Sequence, residues 1–406
     1  MLDQHLRLGQ VFPLNGGGEK MLEIKCLAAS IRIRRCVSVL VIAFSLCEIA
    51  SAVPPTSKIV TSTSYIFREA PFAECHASTI CEAESGLVAA WFGGTEENQP
   101  DVGIWMSRFE SGKWSIPVEV VNGVQFHQVD GQIKRFACWN PVLVLDPSNR
   151  LHLFYKVGPS PSTWWGMVTT STDSGKNWTP PMRLPEGILG PIKNKGVWKN
   201  GRLICPSSTE GPEGWCVHFE QSEPPWTHWT RTESLGGGDV GGAIQPTLIT
   251  LPNSDLKALC RCDGRADRIL ESTSTDAGLH WSPLAATTLP NPNSGIDAVT
   301  LSDQRQMLVY NHTTRGNPFP SRREMLNVAI SKDGQSWFAA AVLEREKETE
   351  FSYPAIIQTR DGKVHITYTW NRKRIAHVVL DPEQMNPTVP LTDLNWPEIL
   401  RDAVDR

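Results

Sequence analysis

Several side chains of this sequence could do chemistry together. The loop Gly93-Gly94-Thr95-Glu96-Glu97-Asn98-Gln99-Pro100-Asp101 is acidic and offers Glu97 and Asp101. Arg261 and Arg323 supply guanidinium groups, and Tyr353 sits in Glu350-Phe351-Ser352-Tyr353-Pro354. Arginine grips a carboxylate through paired hydrogen bonds. A carboxyl with a raised pKa serves as a general acid. A tyrosine beside a base serves as a nucleophile. Lys156, Asn311 and His312 join the set because each follows an apolar stretch. By spacing alone, the same residues read equally well as surface ion pairs and a tyrosine packed in a sheet.

Positioning them requires a scaffold, and the chain carries a repeat. Ser171-Thr172-Asp173-Ser174-Gly175-Lys176-Asn177-Trp178 returns as Ser274-Thr275-Asp276-Ala277-Gly278-Leu279-His280-Trp281. A shortened copy is Ser331-Lys332-Asp333-Gly334-Gln335-Ser336-Trp337. The Asp can bond turn amides, the Gly supplies a positive φ, and the Trp packs the turn onto a sheet. Six apolar strands keep phase with these turns, starting at Leu87, Leu151, Leu203, Leu256, Met307 and Val364. Their starts differ by 64, 52, 53, 51 and 57 residues. Trp114, Trp178, Trp229, Trp281 and Trp337 follow the first five by 27, 27, 26, 25 and 30 residues. Two markers at one period predict six β-units of about four strands each, an all-β, six-bladed propeller. The sixth unit lacks its Trp, which fits a blade closed by a strand from Lys58 to Phe67. The loops after the inner strands are then expected to meet at a central pocket, bringing the chemistry-capable residues together.

Of the 15 Trp, Trp139, Trp164, Trp165, Trp215, Trp226 and Trp370 are not turn anchors. Aromatic rings at a pocket stack on sugars. Trp164, Trp165 and Trp370 are the first choices, because they follow strands closely and lie near Lys156 or Arg372.

From about Ile66 to Leu380 the chain resembles the sialidase superfamily, the propellers with Asp-box turns. The resemblance implies an exo-acting glycosidase with a tyrosine nucleophile. Ser352-Tyr353-Pro354-Ala355-Ile356-Ile357, with Asp361-Gly362 after it, is similar to the motif around that tyrosine, which implies the role for Tyr353. Lys257-Ala258-Leu259-Cys260-Arg261 resembles the strand of the second carboxylate-binding arginine. Arg323, with Arg322 as its rival, stands for the third. Glu97 or Asp101 falls at the acid/base position. Two positions depart from the family. Phe67-Arg68-Glu69-Ala70 resembles the first-arginine motif, but the distance to the turn at Gly86 places His76 at that site. Gln245 stands where the family has a glutamate paired with the tyrosine. An amide oxygen accepts a hydrogen bond but takes no proton. Glu350 is three residues from Tyr353, the wrong parity for one strand face.

The first 52 residues read as an extension and a secretory signal. Arg32, Arg34 and Arg35 precede the apolar run Val37–Leu46, and Ala50-Ser51-Ala52 follows as a cleavage site. A secreted or periplasmic product is expected, without stable membrane insertion after cleavage. Its charge is 33 − 39 = −6, so it has no basic field for nucleic acid. Residues 53–383 form the propeller and 384–406 a tail, with a terminal helix at Asn395–Leu400. Seven Cys remain after cleavage, an odd number that gives no complete disulfide framework. Cys260-x-Cys262 lacks metal-ligand partners, so neither a structural zinc nor a cofactor is expected. Asn177-Trp178-Thr179 and Asn311-His312-Thr313 fit the glycosylation pattern.

Three functions follow. The first is an exo-glycosidase releasing a terminal acidic sugar, sialic acid by resemblance. Its residues would be Tyr353, Glu97 or Asp101, and a clamp of Arg261, Arg323 and His76, with Lys156, Asn311 and Trp370 as further sugar contacts. The second is a glycan-binding propeller without turnover, favoured by Gln245 and His76. The third is a glycosidase or lyase acting on a uronic-acid or deoxy-sugar polysaccharide.

Overall fold

The structure, a computed structural model, describes residues 59–126, 131, 133–236, 238–392 and 394–397. The signal segment, residues 53–58 and half of the expected terminal helix lie outside the described residues. The chain divides into Met1–Val53 and Pro54–Arg406, and all described residues belong to the second unit.

Six antiparallel sheets succeed one another as blades. Blade I opens with Glu74–Ala83, blade II with Cys138–Leu145, blade III with Val197–Lys199. Blades IV, V and VI open with Ala243–Thr250, Asp297–Thr300 and Phe351–Gln358. Among these opening strands, Glu74–Ala83 lies against both Cys138–Leu145 and Phe351–Gln358. Asp297–Thr300 likewise meets both Ala243–Thr250 and Phe351–Gln358. The opening strands are therefore the ones that face the axis. The phased apolar strands of the sequence are the second strand of each blade, one place further out. The reason lies in burial. A second strand is covered on both faces and reads as a continuous apolar run, whereas an axis strand must carry polar side chains.

The last blade closes as the missing Trp implied. Val60–Tyr65 pairs with Arg374–Leu380, so the first described strand completes the sheet begun by Phe351–Gln358. Closure of this kind joins the two ends of the chain in one sheet.

The repeated turns have the predicted chemistry. Asp173 Oδ1 accepts from the backbone N–H groups of Lys176 (3.0 Å) and Asn177 (2.8 Å). Asp276 does the same for Leu279 and His280, and Asp333 for Gln335 and Ser336. Gly175, Gly278 and Gly334 all have positive φ. The Trp of each turn then packs inward. Trp281 stacks on Phe219 at 3.6 Å, and Trp337 is 4% exposed within the core between blades. Trp337→Ala is expected to cost about 3–5 kcal/mol of unfolding free energy. The urea midpoint reads this directly, and a loss under about 1 kcal/mol would mean that the turn Trp is not a core anchor.

Three further expectations meet the structure here. All seven Cys of the described residues are free thiols, so Cys205 and Cys216 are not bridged. Trp396 docks in the core cluster with Leu391, but Asn395–Pro397 is not helical. The tail instead begins with a short 3-10 turn at Pro382–Gln384, capped by Asp381. Asn177 is exposed, whereas Asn311 is fully buried and closed to glycosylation in the folded protein.

Candidate functional site

Four of the axis strands break register once. The breaks fall at Ala77, Asn140, Gln245 and Tyr353, with φ of 55°, 38°, 53° and 51°. Pro141, Pro246 and Pro354 follow three of them. Proline has no N–H for the ladder, so a bulge is the natural outcome. The bulge turns its side chain away from the strand's alternation, which is how Gln245 and Tyr353 reach one another. A left-handed φ at such residues costs on the order of 1–3 kcal/mol and needs support.

The support comes from below. Lys193 Nζ donates to Pro354 O (2.5 Å), Ile296 O (3.0 Å) and Asn194 Oδ1 (2.8 Å). Asn194 Nδ2 donates to the carbonyls of Gln245 (3.1 Å) and Pro246 (3.0 Å). One dipeptide of blade III thus pins both bulges. Burial, with Lys195 and Arg261 adding to it against the pull of Asp297, brings the Lys193 pKa down from 10.5 to about 7. The unfolded chain keeps that proton up to 10.5. Between about pH 7 and 10.5 the unfolded state therefore holds the extra proton, and this lysine makes the fold more stable as pH rises. Lys156, also brought to about 7 by burial, acts in the same window. Lys193→Met is expected to remove about half of that rise in a pH series of melting temperatures; an unchanged slope would rule the assignment out.

Tyr353 lies at the head of the pocket. Its hydroxyl accepts from Arg261 Nη1 at 2.7 Å and from Gln245 Nε2 at 3.1 Å. Arg261 Nη1 also donates to Gln245 Oε1 at 3.2 Å. That bond fixes the amide orientation and aims its NH₂ at the tyrosine. Arg261 is held further by Asn293 Oδ1 (2.7 Å), and its guanidinium lies 5.2 Å from the Trp215 ring. Arg323 and Lys193 each stand 5.7 Å from the Tyr353 ring.

Glu350 links two guanidiniums. Its carboxylate accepts from Arg323 (2.7 Å), Arg372 (3.2 Å) and the Ser352 hydroxyl (2.6 Å). Arg372 also pairs with Glu97. Burial alone would raise the Glu350 pKa, but the positive charge around it holds it well below the usual carboxylate range. Of those cations the guanidiniums of Arg323 and Arg372 persist at neutral pH, while His76 counts only when protonated. Glu350 precedes the strand and Tyr353 sits in the bulge, so the strand-parity argument does not apply to this pair.

The sequence missed Arg372. Its signal was available, because Arg372 follows directly on the end of the second strand of blade VI at Trp370, just as Lys156 and Asn311 mark the second strands of their blades. Arg372 brings a third guanidinium beside those of Arg261 and Arg323, through Glu350, while His76 stands against the tyrosine ring without a charge. His76 is 2% exposed, its Nδ1 is within 3.0 Å of Thr369 Oγ1, and its ring lies 4.1 Å from the Tyr353 ring. Burial first and Arg372 next push its pKa well below 6.5, so it is a neutral wall of the pocket. Arg68 is exposed while Phe67 beside it is packed on Trp91.

Other expected residues fall elsewhere. Asp101 is exposed and accepts from Thr95 N (2.8 Å) and Oγ1 (2.6 Å), the Thr95 hydroxyl chiefly lowering its pKa. That carboxylate holds the loop and is poorly suited to give a proton. Lys156 is fully buried and donates to Pro191 O. Asn311 is fully buried and donates to Met325 O (2.7 Å) and Phe351 O (2.9 Å). Trp370 packs on Tyr65, Phe351 and Arg374. All three were placed at the pocket as residues of axis-lining strands. They lie in or directly after second strands, so Lys156 and Asn311 are buried in the blades and Trp370 is half-buried against its neighbours.

Two openings lie in this part of the fold, the first of them lined by Arg261 and Arg323, which stand against Tyr353. The larger, about 620 Å³, is lined by Arg261, Asn293, Arg315, Arg322, Arg323 and Glu350 among others. The second, about 250 Å³, is lined by Trp164, Trp165, Arg183, Arg231 and Glu210 among others. Glu210 is half-buried, and its pKa is raised by burial and by Glu97, against Arg261. It too was not foreseen. The arrangement can hold a carboxylate on the guanidiniums with the Tyr353 hydroxyl beside it.

The family model of the BNR repeat-like domain matches residues 85–366. No curated protein matches the chain. Among solved structures, a protein of unknown function from Dyadobacter fermentans superposes with a TM-score of 0.63 at 16% identity, over 79% of this chain and 98% of that one. The NanB sialidase of Streptococcus pneumoniae gives 0.61 at 13% identity, over 80% and 71%. The intramolecular trans-sialidase of Ruminococcus gnavus gives 0.59 at 14% identity, over 79% and 97%. At these identities the likeness is one of fold.

Proposed function

Since the chain belongs to the BNR repeat-like family and is a sialidase-superfamily propeller, we propose that it is a glycosidase that removes a terminal acidic sugar from a glycan. The observation that carries this reading is the Tyr353 hydroxyl, held at 2.7 Å from Arg261 on a bulge beside a cationic pocket. The sugar carboxylate sits on Arg261, Arg323 and Arg372. Tyr353 attacks the anomeric carbon and forms a glycosyl-enzyme, which water then opens. A carboxyl at the mouth protonates the leaving oxygen; of the two that the resemblance offers, Asp101 is engaged by Thr95 and Glu97 by Arg372.

The test is incubation with an aryl α-sialoside, with terminal uronides and with uronic-acid polysaccharides. The expected product is free acidic monosaccharide from the sialoside. Unsaturated product from a polysaccharide would support a lyase on the same scaffold. Gln245 favours a second reading, glycan binding without turnover, because its NH₂ and not a base faces the tyrosine. That reading predicts saturable binding with no product from any substrate.

A further inference from the structure

Glu210 is the last residue but one of the second strand of blade III, directly across the ladder from Trp215. The Trp215 ring lies 5.2 Å from the guanidinium of Arg261, which in turn holds the Tyr353 hydroxyl. Glu210 therefore stands one side chain away from the group that carries the nucleophile. It also lines the second opening with Trp164, Trp165 and Arg183.

Its bonding differs from that of the other acids near the tyrosine. Glu350 is held by Arg323, Arg372 and Ser352, Glu97 by Arg372, and Asp101 by Thr95. Glu210 makes no hydrogen bond or ion pair among the described residues. A half-buried carboxyl without a partner is kept from ionising by desolvation, and the nearby Glu97 charge acts in the same sense.

We infer that Glu210 is the general acid that protonates the departing glycan, and that the groove of Trp164 and Trp165 receives that glycan. This rests on the hydrolase reading above. In the first step the bond between the anomeric carbon and the glycosidic oxygen breaks, and its electron pair goes to the oxygen. That oxygen takes the Glu210 proton, the Tyr353 oxygen bonds the anomeric carbon, and the phenolic proton passes to water. In the second step water attacks the same carbon, gives a proton to the Glu210 carboxylate, and the tyrosine leaves and is reprotonated from water. Glu97 then serves to anchor Arg372. The half-apolar groove suits a neutral pyranose as the departing sugar.

The experiment compares two substrates with one acidic sugar. One has an aryl leaving group of low pKa, which needs no proton, and the other a galactoside, which does. Glu210→Gln is expected to lose about 100-fold in kcat/KM on the galactoside and less than about 10-fold on the aryl glycoside. Glu97→Gln is expected to lose similar factors on both. Glu210→Asp keeps the proton at a shorter reach and should restore part of the galactoside activity, which separates chemistry from misfolding. Equal losses on both substrates for Glu210→Gln, or no loss, would overturn the assignment. If the parent hydrolyses neither substrate, the hydrolase reading itself fails, and this inference with it.

Discussion

Tyr353→Phe is expected to lower kcat by on the order of 10³–10⁶-fold while leaving ligand binding within a few-fold of the parent. The variant removes one oxygen. That oxygen receives hydrogen bonds from Arg261 and Gln245, and the nearby Glu350 carboxylate is already engaged by Arg323, Arg372 and Ser352. Arg261 keeps Asn293 and Gln245 as partners, so the carboxylate site survives. The stability cost should stay near about 1–3 kcal/mol, the usual penalty for orphaning buried donors. Two measurements decide it: turnover of an aryl sialoside, and sugar binding by calorimetry on the same sample. Activity within about ten-fold of the parent would remove Tyr353 from the mechanism. Loss of binding together with turnover would instead mean that the hydroxyl holds the pocket together.

Gln245→Glu carries the second large effect, with the opposite sign. The parent amide is locked, because Arg261 Nη1 donates to its oxygen and leaves its NH₂ facing Tyr353 at 3.1 Å. The tyrosine oxygen thus receives two donors and has no base beside it. A glutamate of the same length would put an acceptor at that distance and take the phenolic proton. General-base assistance is worth about 10²–10⁴-fold, so a gain of about 100-fold in kcat is expected on a sialoside. The new carboxylate would be buried, since Gln245 is 3% exposed, but Arg261 already lies against it. If the parent turns nothing over and the variant does, the natural protein is a binder that one atom pair separates from an enzyme. A variant no faster than an active parent would show that the amide does not limit the rate.

These two residues also show where reading the chain stops. The Asp boxes and the phase of the apolar strands are legible because both are local. An Asp bonds N–H groups three and four residues on, and a two-sided buried strand must be apolar in a continuous run. The same locality misled about the axis. By position alone the apolar strands read as its lining, which puts Lys156 and Asn311 at the pocket. They are buried a layer behind it, because a strand that touches the axis is broken by Pro246 or Pro354 and carries polar residues.

The sequence by itself determined six repeating units, the turns that end them and the closing first strand, and the family resemblance added Tyr353, Gln245 and Arg261 as one group. Only the tertiary structure decided the rest. Arg372 pairs with Glu97 across 275 residues and with Glu350 across 22, so no spacing rule joins all three. Glu350 enters the site because a bulge of positive φ cancels the alternation by which strand faces are counted. His76 leaves the clamp because burial strips its charge. In each case the deciding quantity is desolvation or a long-range charge pair, and neither exists until the blades close around the axis.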